Sequence, residues 1–188
     1  MIRKRLTESI RVKQKIADDP VLTGNIEKAA DMITEAFQRG NRVYFCGNGG
    51  SAADAQHLAA ELSGKFYLDR PALPAEACHV NPSFITAVAN DYEFDKVFSR
   101  YIEGFGQKGD VLVGLSTSGN SGNILRALEA ARAKKMACIG FTGLSGGKMK
   151  SLVDILLNVP STDTPRIQES HITIGHIICE IVELKLFG

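Results

Sequence analysis

The chain has no excess of either charge. Lys and Arg number 22 against 21 Asp and Glu, a net of +1. That balance removes the electrostatic case for nucleic acid or an acidic membrane surface as partner. Cysteine is sparse. Cys46, Cys78, Cys138 and Cys179 have no C-x-x-C spacing, and with three in expected strands and one in a helix they read as buried free thiols of a reducing compartment. The first six residues include Arg3, Lys4 and Arg5 and no apolar h-region follows, so no signal peptide is expected. No apolar run approaches membrane-spanning length, and a cytoplasmic location follows. Repeats, low-complexity tracts and linkers are missing too. The 188 residues are therefore expected to form one domain, 1–188, with a sizeable core. There is no Gly-Lys-Ser/Thr, hence no Walker loop, and Gly47-Asn48-Gly49-Gly50-Ser51-Ala52 lacks the sixth-position glycine of a dinucleotide fingerprint. No nucleotide cofactor is expected.

What is present is a pair of strand–turn–helix corners. The run Val111-Leu112-Val113-Gly114-Leu115 leads into Ser116-Thr117-Ser118-Gly119-Asn120-Ser121-Gly122 and then a helical pattern. Free N–H groups of a first helical turn, the helix dipole and several hydroxyls make such a corner a phosphate site. The turn has no Lys or Arg, which points to a small phosphate ester rather than a metal-bound polyphosphate. Upstream, Arg42-Val43-Tyr44-Phe45-Cys46 leads into Gly47-Asn48-Gly49-Gly50-Ser51, whose glycines let backbone approach a ligand closely. Any glycine-rich strand–helix turn shares this look. Two of them, both with Ser and Asn, fit the carboxyl edge of an open parallel sheet, where such sheets bind ligands.

Periodicity gives the rest. Helices are expected at 2–18, 25–39, 52–63, 82–89, 94–105, 122–134, 146–152 and 165–186. Strands are expected at 42–46, 75–80, 111–115, 136–141 and 154–159, with a loop at 64–74. This alternation predicts a doubly wound α/β fold, a parallel sheet with helices on both faces. The first helix precedes every strand, so it packs outside the sheet or against another subunit.

Two helices carry groups suited to chemistry. His57 and Glu61 are four apart, on one face one turn apart. A solvated polar face is the plain alternative, although the neighbouring Ala59, Ala60 and Leu62 argue for burial. The last helix offers Arg166, Gln168, Glu169, His171 and His176. His176 lies among Ile172, Ile174, Ile177, Ile178 and Ile181, where a satisfied core histidine is the competing reading. His79 has no assigned role. A carboxylate and an imidazole beside a phosphorylated small molecule suit proton transfer next to a carbonyl.

In chain order, Cys46-Gly47-Asn48-Gly49-Gly50-Ser51, Asp54-Ala55-Gln56-His57, Glu61, Asn90-Asp91, Phe98-Ser99-Arg100-Tyr101, Ser116-Thr117-Ser118-Gly119-Asn120-Ser121, Arg166-Ile167-Gln168-Glu169 and His176 resemble the phosphoheptose isomerase family of the sugar-isomerase (SIS) superfamily. The likeness covers nearly the whole chain. It implies a five-stranded parallel sheet and a homotetramer with active sites at subunit interfaces, helices 2–18 and 165–186 contributing to the assembly. The implied reaction converts sedoheptulose 7-phosphate to D-glycero-D-manno-heptose 7-phosphate, the first step toward nucleotide-activated heptose for lipopolysaccharide or other surface glycans.

By that resemblance Glu61 moves the proton between C1 and C2, and His176 serves the oxygens. Ser116, Thr117, Ser118 and Ser121 hold the phosphate, while Asn48, Gly49, Ser51, Asp91 and Gln168 line the sugar. Some relatives bind zinc through positions matching His57, Glu61, Gln168 and His176, an N/O donor set. Lys65 stands where many relatives have arginine, keeping the charge without the bidentate fork. A branch of the family binds the bacterial replication initiator and lacks the Glu and the late His. Glu61 and His176 favour the enzyme over that branch, over a regulatory sugar-phosphate sensor, and leave open another ketose–aldose phosphate isomerase.

Overall fold

The structure, a computed structural model, describes all residues, Met1–Gly188. The chain runs α1 (Ile2–Ala17), α2 (Pro20–Gln38), β1 (Val43–Gly47), α3 (Gly50–Ser63), β2 (Ala75–Ala77), α4 (Pro82–Asp91), α5 (Val97–Phe105), β3 (Val111–Leu115), α6 (Gly122–Ala133), β4 (Ala137–Thr142), β5 (Ile155–Asn158) and α7 (Thr164–Phe187). The sheet is five-stranded and parallel throughout, in the order β2-β1-β3-β4-β5. The doubly wound fold read from the periodicity is the fold observed.

Side-chain alternation divides the core. Val43, Phe45, Val111, Val113, Leu115, Ile139 and Phe141 pack against α2, α3 and α7. Tyr44, Cys46, Leu112 and Cys138 pack against α4, α5 and α6. From β1 the chain winds outward to β2, then crosses back to β3. The strand order reverses between β1 and β3, and the two glycine- and serine-rich turns follow those two strands. They therefore flank the crevice where open α/β sheets hold ligands.

Several boundaries differ from the sequence reading, each for a local reason. Helix α2 begins at Pro20, not at residue 25, because Asp19 caps it, its carboxylate accepting from the N–H of Val21 and Leu22, with proline at the first turn. Strand β2 stops at Ala77, so Cys78 and His79 lie in the turn after an edge strand rather than inside it. Helix α4 runs through Asn90 and Asp91, expected as a linker. The helix expected at 94–105 is a 3-10 turn, Phe94–Lys96, followed by α5. The one expected at 146–152 is a 3-10 turn at Gly147–Ser151. All four cysteines are buried and free. No helix is long and apolar enough to cross a membrane.

Candidate active site

The serine turn is built largely from its own hydroxyls. Ser116, buried at the end of β3, has its Oγ 2.9 Å from Ser121 Oγ and 3.4 Å from Ser118 Oγ. Ser118 Oγ accepts from the N–H of Asn120 at 3.1 Å. Ser121 caps α6 in position yet makes no side-chain capping bond, so its hydroxyl faces the serine cluster. The next turn along the sheet edge braces this one. Gly143 N–H donates to Thr117 O at 2.9 Å, and Met149 N–H to Gly119 O at 3.0 Å. Gly119 has φ +66°, and a Cβ there would stand 2.2 Å from Gly146 O. A polar cleft of about 370 Å³ opens beside Thr117, Ser118 and Asn120.

The first turn is tied to the second. Asn48 and the buried Asn123 exchange amide hydrogen bonds of 2.9 and 2.8 Å, joining the end of β1 to the start of α6. Gly49 is the residue before α3 with φ +57°, and Ser51 is buried in the first helical turn, its N–H donating to Asn48 O. Asp91 lies exposed at the end of α4, where Asn90 Nδ2 donates to it at 2.9 Å; it has no hydrogen bond to either turn.

The helix groups converge. His57 Nε2 lies 3.1 Å from Glu61 Oε1 and 2.9 Å from Nε2 of His176 on α7. Gly175 makes this possible, since a Cβ there would sit 2.5 Å from Leu58, so α7 reaches α3 beside the two histidines. His176 is thus no core histidine; the His57–Glu61 pair meets it while remaining open to solvent, His57 half-exposed despite the burial its neighbours suggested. The core histidine of α7 is His171, fully buried, its ring edge-on to Phe141 and its Nε2 3.1 Å from Thr142 O. Burial pushes its pKa down to about 4, against the opposing effect of the Thr142 carbonyl.

Ligating atoms of His57, Glu61 and His176 lie within 4.8 Å of one another. At most one proton can lie between two ring nitrogens, so two imidazoles and a carboxylate aimed at one point form a donor set for a divalent cation of borderline softness. Gln168 is not drawn into this cluster. Its amide packs over Gly50, where a Cβ would meet Nε2 at 2.6 Å, and it makes no hydrogen bond with the triad. Gly50 precedes His57 by seven residues, roughly 10 Å along α3.

Sequence reasoning missed several residues. Asn123 was visible only as the third residue of Ser121-Gly122-Asn123, and Gly175 only as a small residue before His176. Nothing in sequence pointed to a buried ion pair between Arg70 and Glu183, their atoms 2.9 Å apart. Glu183 accepts from the N–H of Phe66, Tyr67 and Leu68. Burial alone would raise its pKa; the Leu68, Tyr67 and Phe66 N–H groups and Arg70 outweigh that and hold it below the usual carboxylate value.

Residues 8–143 of this parallel α/β domain, with its serine turn at the switch point, match the SIS domain family. The chain belongs to the phosphoheptose isomerase family within it. It is 49% identical over 187 residues, the whole chain and 95% of the relative, to a phosphoheptose isomerase of Burkholderia pseudomallei. It is 50% identical with the same coverage to one of Clostridium acetobutylicum. Among solved structures, the phosphoheptose isomerase of Neisseria gonorrhoeae superposes with a TM-score of 0.90 at 42% identity, over 97% of this chain and 96% of that one. That of Francisella tularensis gives 0.93 at 37% identity with the same coverage.

Proposed function

We propose that the protein interconverts sedoheptulose 7-phosphate and D-glycero-D-manno-heptose 7-phosphate, as an aldose–ketose isomerase at the entry to activated-heptose synthesis. The observation that carries this is the meeting of Glu61 and His176, from two helices, in a fold whose switch point presents a serine turn. An enediol isomerisation needs one group on carbon and one on oxygen. Glu61 removes a proton from C1 while the C2 oxygen gains one, forming the C1=C2 bond. His176 moves protons at the two oxygens. As the O1 proton leaves and the C1 carbonyl forms, Glu61 returns its proton to C2. Ser116, Thr117, Ser118 and Ser121, with the free N–H groups of the first turn of α6, hold the phosphate and set the register of the chain against Glu61. Asn48, Gly49 and Ser51 line the sugar with Gln168, which reaches over the first turn of α3. Asp91 joins them from α4.

Zinc is the cation we assign to His57, Glu61 and His176; Gln168, over Gly50, would add a fourth donor only by turning its amide toward the triad. When bound, zinc would polarise the carbonyl and stabilise negative charge on oxygen. We also infer a homotetramer in which α1 and α7 contribute contacts. Ile2, Leu6 and Ile10 on α1 and Ile177 and Leu184 on α7 are exposed apolar side chains that support this. Four buried free thiols support a reducing, cytoplasmic setting, and surface glycans such as lipopolysaccharide are the expected destination of the heptose.

Turnover of sedoheptulose 7-phosphate by the purified protein, after chelation and again with added zinc, tests the reading. Turnover that falls on chelation and returns with zinc is expected. Turnover indifferent to chelation would leave an isomerase without the assigned metal. Absence of turnover in both states, with phosphosugar binding intact, would replace the isomerase with a sensor.

A further inference from the structure

A buried ion pair is weak evidence for stability, since apolar replacements of similar volume are often neutral or better. The Arg70–Glu183 pair therefore calls for another account, and its contacts supply one. Both side chains are almost fully buried. The guanidinium spends its remaining donors on the end of α3 and on Pro71 O, which accepts from Nη1 at 3.1 Å. Nη2 donates to Glu61 O at 2.9 Å, and Nη1 to Leu62 O at 2.8 Å and Gly64 O at 3.3 Å. The last carbonyls of a helix have no partner within it, and α3 has no basic residue in its last turn. Arg70 reaches back from the following loop to supply that cation.

The carboxylate anchors the other side. Glu183 lies seven residues beyond His176 on α7, two turns along. It gathers the N–H groups of Phe66, Tyr67 and Leu68. Phe66 in turn packs on the His176 ring, centroids 5.7 Å apart and planes 38° apart. One ion pair thus touches the backbone of the carbon-side base and, through Phe66, the ring of its oxygen-side partner.

We infer that Arg70, held by Glu183, is a positioning residue that fixes the last turn of α3 against α7 and so sets Glu61 relative to His57 and His176. This rests on the isomerase reading of that cluster. A displacement of about 1 Å at reacting groups can cost on the order of a hundredfold in rate. A planar fork that engages four carbonyls and a carboxylate cannot be copied by an ammonium.

The test pairs Arg70→Lys with the apolar double variant Arg70→Met/Glu183→Leu, which removes both charges and leaves neither unpaired. In each, kcat and KM for sedoheptulose 7-phosphate are measured per native molecule, with the native fraction taken from circular dichroism and urea unfolding. Cobalt(II) affinity is followed separately by visible absorption. The expected result is a kcat about 10- to 100-fold lower, a KM within about threefold of the parent, and cobalt held about tenfold more weakly. Either variant folding natively with unchanged kcat and cobalt affinity would overturn the inference. So would losses that merely track the unfolded fraction, or failure of both variants to fold, which would make the pair structural. If the parent protein itself fails to turn over the sugar, the isomerase reading falls. The cobalt comparison still decides whether the pair positions the triad.

Discussion

The two ends of the site are built in opposite ways. The proposed phosphate end is one contiguous turn: hydroxyls bonded to one another, a left-handed glycine, and a neighbouring turn whose N–H groups brace it. The proposed proton-transfer end is assembled from distant segments, three side chains from two helices meeting across a glycine-thin contact. Binding a dianion needs many modest donors, each replaceable in part by its neighbours. Moving a proton needs two groups placed within a fraction of an ångström. Substitution at the helix end should therefore strike kcat, and at the turn should strike KM or the fold itself.

The largest effect is expected from Glu61→Gln. The amide keeps the shape but cannot take the C1 proton, so kcat should fall by about 10³ to 10⁴ while phosphosugar affinity, read by calorimetry, stays near the parent's. Affinity falling in step with kcat would show that the two ends are not separable.

Gly119→Ala attacks the turn through its backbone. A Cβ at φ +66° that would meet Gly146 O at 2.2 Å must move two turns apart, at a cost of roughly 3 kcal/mol or more. Urea unfolding should show that loss, with KM raised in whatever remains native. A variant of parental stability would mean that the two turns are not locked together.

This contrast also explains what could be read in the sequence. The turn was legible because its chemistry is contiguous: Ser116 to Ser121 sit in one stretch, after an apolar strand and before a helix, and the structure leaves them so. His57 and Glu61 were legible as a pair because helical spacing puts them on one face. By composition alone their partner stayed open, and the family resemblance named His176. His171 and His176 are equally plausible on α7 by composition, and only the approach at Gly175 turns one outward to α3 and the other into the core. Gln168 matches the family pattern for a ligand, but its place over Gly50 is a tertiary fact. Arg70 and Glu183 are 113 positions apart, and no local pattern connects them. Boundaries failed where capping overrode periodicity, as at Asp19 before α2.

His171 joins the two ends, running from α7 to the carbonyl that closes β4. Its folded pKa of about 4 lies below the unfolded value near 6.5. The unfolded chain therefore binds a proton that the native one does not as pH falls from about 6.5 to 4. Stability is full above that window and falls by about 2–3 kcal/mol across it, flattening below. Urea midpoints measured from pH 7.5 to 4 should show the decline, and His171→Gln should shrink it. A slope unchanged in His171→Gln would assign the pH dependence to other groups.

The smallest effect, and the sharpest on the contrast, is expected at Ser121. A serine at the residue before a helix ordinarily caps it, and its loss costs about 1 kcal/mol of stability. Here the hydroxyl makes no capping bond and turns to Ser116 Oγ at 2.9 Å. Ser121→Ala should therefore leave the urea midpoint within experimental error. It removes one donor to the phosphate, so KM should rise about tenfold, the lower end of the worth of one hydrogen bond to a charged group, with kcat untouched. A stability loss with unchanged KM would make Ser121 a cap and shift the burden of phosphate binding to Ser116, Thr117 and Ser118. The predicted pattern would show that α6 leaves its first N–H groups uncapped by its own side chain, which keeps them available to the ligand.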